Sequence, residues 1–232
     1  MTATARSARF VTTARRAAIA AVLAVGAIGL LHTSAGKPLL ARLSGKSGCP
    51  VLAGQTPEKL EEGRVASLKP LAGEGRAAAR PALTFVLGAT KRADVTSWAD
   101  GRKLACKDDL NGTALRCSDV DAHSVDDGDV PIEDLFFRFT PEGTLVALDA
   151  MHRGANGDEA AQLLDAASSR LARALGAPTT TRGERTSAYL TGAPFAHTAI
   201  EYRFADYAAD VSATNFGDRG VVVREQYRAI PN

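Results

Sequence analysis

Polar and apolar positions follow two alternating rhythms along this chain. Over "DEAAQLLDAASSRLARALG", Leu163, Leu164, Ala167, Leu171, Ala174 and Leu175 keep a 3.6-residue period. Asp158 and Glu159 open that segment and Arg170 and Arg173 stand near its close, so the charges complement the helix dipole. Gly176 and Pro178 are its stop signals. A second helical period, in "TKRADVTSWADG", puts Val95, Trp98 and Ala99 on one stripe, with Thr90 as expected cap and Gly101 as stop. A shorter helix is expected from Thr56, with Pro57 in its first turn and an end before Pro70.

The other rhythm has period two. "EDLFFRF" sets Leu135, Phe137 and Phe139 on one face, and "TPEGT" supplies a turn into "LVALDAM". "ALTFVLG" reads as a short apolar segment. Further on, "TSAYL", "TAIEYRF", "YAADVSAT" and "GVVVREQY" are four strand candidates. Residues 81–152 and 153–232 therefore share one order of elements, a helix followed by three or four strands. The expected fold is α+β: two tandem helix-plus-antiparallel-strands units, helices packed on one face of a curved antiparallel sheet.

"CKDDLNGTALRC" fixes one register within this plan. Asn111-Gly112 is a type I′ hairpin signal, because both central positions need positive φ. Counting outward pairs Asp109 with Ala114, Asp108 with Leu115, Lys107 with Arg116 and Cys106 with Cys117. Leu104, Cys106, Leu115 and Cys117 then share one face. Directly opposed Cα atoms lie about 4.5–5.5 Å apart, within disulfide range. A Cys106–Cys117 bridge is expected in an oxidising compartment, and two buried thiols otherwise. Cys49 is left over.

The amino terminus bears on the compartment. Residues 1–16 carry Arg6, Arg9, Arg15 and Arg16 and no acid, and an uncharged run follows from Ala17 to Leu31. This is the order of a secretory signal; extended to Ala35, it also has the length of an uncleaved anchor. Residues 1–35 are read as one or the other. Beyond them, 24 basic residues face 26 acidic ones, so the net charge of +2 belongs to the targeting segment. Near-neutrality gives no electrostatic case for nucleic acid. Membrane contact is expected only through residues 17–35, if they are retained.

Residues 36–80 read as a Gly/Pro-rich tether with the short helix inside it. Two lookalike motifs there fail. "SGKS" has Leu40 where a phosphate-binding loop needs its first glycine, and "GEGRAA" has Pro70 where the feeding strand belongs.

"LGATKRADVTSWA", the Cys-bearing hairpin and "LFFRFTPEGTLVAL" resemble small envelope modules of the SmpA/OmlA type. Two such units in tandem are similar to the β-lactamase inhibitor protein architecture. The likeness covers residues 84–150, and 158–228 by element order alone; there is no lipidated cysteine at the start. It implies a protein that binds protein partners outside the cytoplasm, without catalysis. The Ala- and Arg-rich composition suits a bacterial source.

Candidate chemistry is sparse. No H-E-x-x-H, G-x-S-x-G, C-x-x-C or nucleotide signature is present, and nothing in the sequence calls for a cofactor. "DVDAHSVDDGD" gathers Asp119, Asp121, His123, Asp126, Asp127 and Asp129, donors suited to a divalent cation but without EF-hand spacing. An envelope hydrolase with a metal in that loop is the alternative to a binding module. Phe137, Tyr202 and Tyr207 are the candidate anchors of a sheet-face binding surface, provided their faces stay open.

Overall fold

The structure, a computed structural model, describes residues 55–125 and 130–231. It begins with helix α1 (Pro57–Leu68) and a two-stranded hairpin, β1 (Pro81–Ala82) and β2 (Phe85–Val86). The first half continues with α2 (Arg92–Gly101), β3 (Ala105–Asp109), β4 (Ala114–Val120), β5 (Ile132–Phe139) and β6 (Leu145–Ala155). The second half holds α3 (Gly157–Leu175), β7 (Thr180–Arg182), α4 (Ser187–Gly192), β8 (His197–Arg203), β9 (Tyr207–Asn215) and β10 (Val221–Ala229). Eight strands form one antiparallel sheet in the order β3-β4-β5-β6-β10-β9-β8-β7. Each half is a meander, and the two meet through their last strands, β6 and β10. The fold is thus α+β, as the order of elements implies.

Local chemistry sets the helix ends. In α3 the Asn156 side chain accepts from the N–H groups of Asp158 and Glu159, and Glu159 accepts from the N–H of Asn156. In α2 the cap is Lys91 rather than Thr90: Asp94 accepts the Lys91 N–H at 2.8 Å, while the Thr90 hydroxyl accepts from Val86 in the preceding turn. Thr56 caps α1 and Pro57 stands at its first position.

One strand assignment is corrected. "TSAYL" lies in α4, because the Thr186 hydroxyl accepts the Tyr189 N–H and so starts a helical turn that buries Leu190. The fourth strand of the second half is β7, just upstream. Gly157 lets α4 approach α3: a Cβ there would stand 2.4 Å from the Ser187 hydroxyl oxygen.

Helices α2 and α3 and the β1–β2 hairpin cover one face of the sheet. Phe85, Trp98 and Phe137 meet edge to face at 5.2–5.9 Å. Under α3, the buried Glu225 accepts from Arg170 and from the Tyr227 hydroxyl. The hairpin keeps the expected register, with Cys106 opposite Cys117, Asn111 and Gly112 both at positive φ, and the disulfide formed.

Helix α1 lies on the opposite face. Leu68 packs with Ala208 and Ile230, Arg64 donates to the Ala229 carbonyl, and Arg138 donates to the Leu60 carbonyl, both at 2.9 Å. From there the chain passes the β8–β9 turn, where Gly73 comes so close to the Arg203 carbonyl that a Cβ would stand 2.3 Å from it. Among the described residues no helix is long and apolar enough to cross a membrane; the apolar run at 17–31 lies outside them.

Candidate functional site: the open sheet face

Register places the side chains of the α1-bearing face in rows that cross the sheet. The lowest row, Ala114, Arg138, Ala147, Arg228 and Ala208, runs under α1 or beside it. Burial draws the Arg138 pKa below its ordinary value. The next row is Arg116, Phe136, Asp149, Gln226 and Asp210; above it stand Ser118, Asp134, Met151, Arg224 and Ser212. Among the described residues no helix lies over these two rows. They form the open part of the face.

Charges there are cross-linked between strands. Asp149 accepts from Arg224 at 3.1 Å, from Gln226 at 2.8 Å, and from Arg228 through both oxygens at 2.8 Å. The Arg116 guanidinium lies 5.1 Å from the Phe136 ring centre and reaches Asp134 at 3.3 Å. Arg153, one step above Met151, donates to its sulfur at 3.1 Å and pairs with Glu133. Two buried atoms in these open rows, Asp134 Oδ1 and Arg224 Nε, have no hydrogen-bond partner among the described residues. A polar cleft of about 320 Å³ opens at Asp134, lined also by Arg116, Ser118, Asp119, Glu133 and Arg153.

The sequence-derived candidates fall elsewhere. Phe137, Tyr202 and Tyr207 are all fully buried on the helix-covered face, so they are core residues and offer no surface. Tyr207 donates to the Pro81 carbonyl, and the Tyr202 hydroxyl is buried without a partner among the described residues. Asp119 is exposed at positive φ, and Asp121 accepts the His123 N–H at 3.0 Å in a local turn. Asp126, Asp127 and Asp129 lie outside the described residues. Among those described, no three His, Cys, Asp or Glu side chains come together as a metal would require.

A second exposed feature stands at the far end of the sheet. Phe195, at positive φ, and Phe216 meet at 6.2 Å, both solvent-exposed. Asn215, buried between their loops, donates to the Ala193 carbonyl and accepts the Gly217 N–H.

The open-face residues lie out of phase with the apolar alternation of each strand, so that alternation does not single them out. The off-phase positions of "EDLFFRF" and "GVVVREQY" were the signal: Asp134 and Phe136 in one, Arg224 and Gln226 in the other. The chain matches no protein-family model, no curated protein and no solved structure.

Proposed function

We propose that this chain is an exported, non-catalytic binding module that engages a protein partner in the cell envelope through the open rows of its sheet. One observation carries the reading: among the described residues, a broad eight-stranded sheet is sealed by helices on one face and only partly covered by α1 on the other. What remains open presents arginine, phenylalanine and methionine side chains, types enriched at protein interfaces. Export rests on the arginine cluster followed by an apolar run in residues 1–31 and agrees with a disulfide in the fold. The likeness to SmpA/OmlA modules in tandem belongs to this proposal; a helix followed by an antiparallel meander in each half supports it.

The test is a photo-crosslinking residue placed at Ser212 on the open face, with Ser169 on the exposed side of α3 as control, in the cells that make the protein. A discrete adduct with an envelope protein is expected from 212 and not from 169. Equal adducts from both, or none from 212, would remove the reading. A reporter enzyme active only outside the cytoplasm, fused to the chain's end, should be active; an intact but inactive cytoplasmic fusion contradicts export.

A further inference from the structure

Ion pairs on the open face are unequal in exposure. Arg116 keeps 49 % of its side-chain surface against 23 % for Asp134; Arg224 keeps 43 % against 18 % for Asp149. For Arg153 and Glu133 the values are 53 % and 45 %. In these three pairs the carboxylate is the more covered partner and the guanidinium stands farther into solvent, whereas toward β9 the order reverses, Asp210 keeping 26 % against 18 % for Arg203. Between β4 and β10 an approaching surface therefore meets cations first, although residues 55–232 as a whole carry 21 basic against 26 acidic residues.

Between these heads lie apolar groups. Phe136 and Met151 are half-buried on the same two rows, one beneath Arg116 and the other beside Arg153. From Arg116 on β4 to Arg224 on β10 is three strand spacings, about 14 Å. The patch is thus several separated cations around an apolar centre.

Resting on the binding reading above, we infer that the partner presents carboxylates spaced around an apolar contact, that is, an acidic face of a polypeptide. Guanidinium groups bind carboxylates in a planar fork, and Arg116, Arg153 and Arg224 each keep close to half of their side-chain surface in solvent. A dense polyanion fits less well. Asp134, Asp149 and Glu133 sit directly behind the arginines and oppose a continuous phosphate array, while a nucleic-acid backbone or a lipid headgroup layer would leave Phe136 and Met151 without apolar contact.

The experiment titrates the full chain with a labelled helical peptide carrying Glu and Leu on one face. Its Lys/Leu counterpart, polyuridylate and phosphatidylglycerol vesicles are run in parallel. The variant R116Q/R153Q/R224Q should bind the Glu/Leu peptide roughly tenfold more weakly, with affinity of the unsubstituted chain falling as salt rises. A control triple on exposed arginines elsewhere, R76Q/R173Q/R219Q, should change it by less than about twofold. F136A/M151A should also weaken it, because a purely ionic patch would not need those groups; unfolding curves of every variant check that the fold is kept. Equal binding by the open-face triple, equal binding of the Lys/Leu peptide, or a preference for polyuridylate or vesicles lost in the same triple would overturn the inference. If Ser212 still crosslinks to a protein in that case, the binding reading stands and only the acidic-partner inference falls.

Discussion

Glu225 is only 2 % exposed, facing α3 from the middle of β10, and its carboxylate is held by Arg170 and by the Tyr227 hydroxyl. Removing it takes a shared acceptor from both donors, although Arg170 keeps its bond to the Tyr227 hydroxyl. Glu225→Ala should therefore cost about 3 kcal/mol, and Glu225→Gln less, read from denaturant midpoints. Tyr227 brings a pH dependence of its own. Burial first, and Glu225 second, push its pKa well above the ordinary phenol range; burial also raises those of Tyr207 and Tyr202. The folded state keeps these protons where the unfolded chain loses them. Their contribution is intact below the unfolded pKa near 10 and declines as pH rises from there toward the folded values, by up to about 1.4 kcal/mol per pH unit for each phenol. Denaturant melts between pH 8 and 11 should show that decline, and Tyr227→Phe should make it shallower. An unchanged slope in Tyr227→Phe would contradict the assignment. These phenols also show what sequence left open. Alternation places Tyr202 with Ile200, but a hydroxyl reads as a surface marker until its place under the helices is seen.

At the scale of elements, the signals that held were those with a local mechanism. Asn111-Gly112 permits only a narrow set of turns, so counting outward from it gives the observed pairing of Cys106 with Cys117. The amphipathic pattern of α3 held for the same reason, since a 3.6-residue period kept over nineteen residues has few rival readings. "TSAYL" is too short for period to decide, and the Thr186 cap outweighs its apparent alternation. Helix α1 was legible from Thr56 and Pro57. Its seat on the sheet was not, because it buries only Leu60, Arg64 and Leu68 and has no continuous apolar stripe. Two consequences follow at this scale. Reducing the disulfide should destabilise the fold by roughly 3 kcal/mol through the chain entropy it releases, seen as a lowered midpoint in reducing agent that is absent from the C106A/C117A variant. Leu68→Ala should cost about 2–3 kcal/mol, because it opens a gap beside Ala208 and Ile230. A loss below about 0.5 kcal/mol would mean that α1 is not held on the sheet.

For the whole molecule, the decisive feature is the seam between β6 and β10. The two halves repeat one order of elements, which invites a picture of two independent units. Yet Leu148 and Ala150 on one side and Val223 and Tyr227 on the other are fully buried there, and one apolar cluster runs through residues of both halves. Helix α1 ties them again from the other face, accepting from Arg138 of the first half and donating to the Ala229 carbonyl of the second. Neither half could release the other without exposing that seam and stripping α1 of one set of contacts. The described residues should therefore unfold as a single cooperative body. Trp98, the only tryptophan, reports on the first half, while far-ultraviolet circular dichroism sums over both. Denaturant curves from the two signals should coincide in midpoint and slope. A tryptophan transition well separated from the circular dichroism curve would show that the halves fold apart. The open face would then be two adjoining surfaces able to move against each other, rather than one rigid array running from β4 to β9.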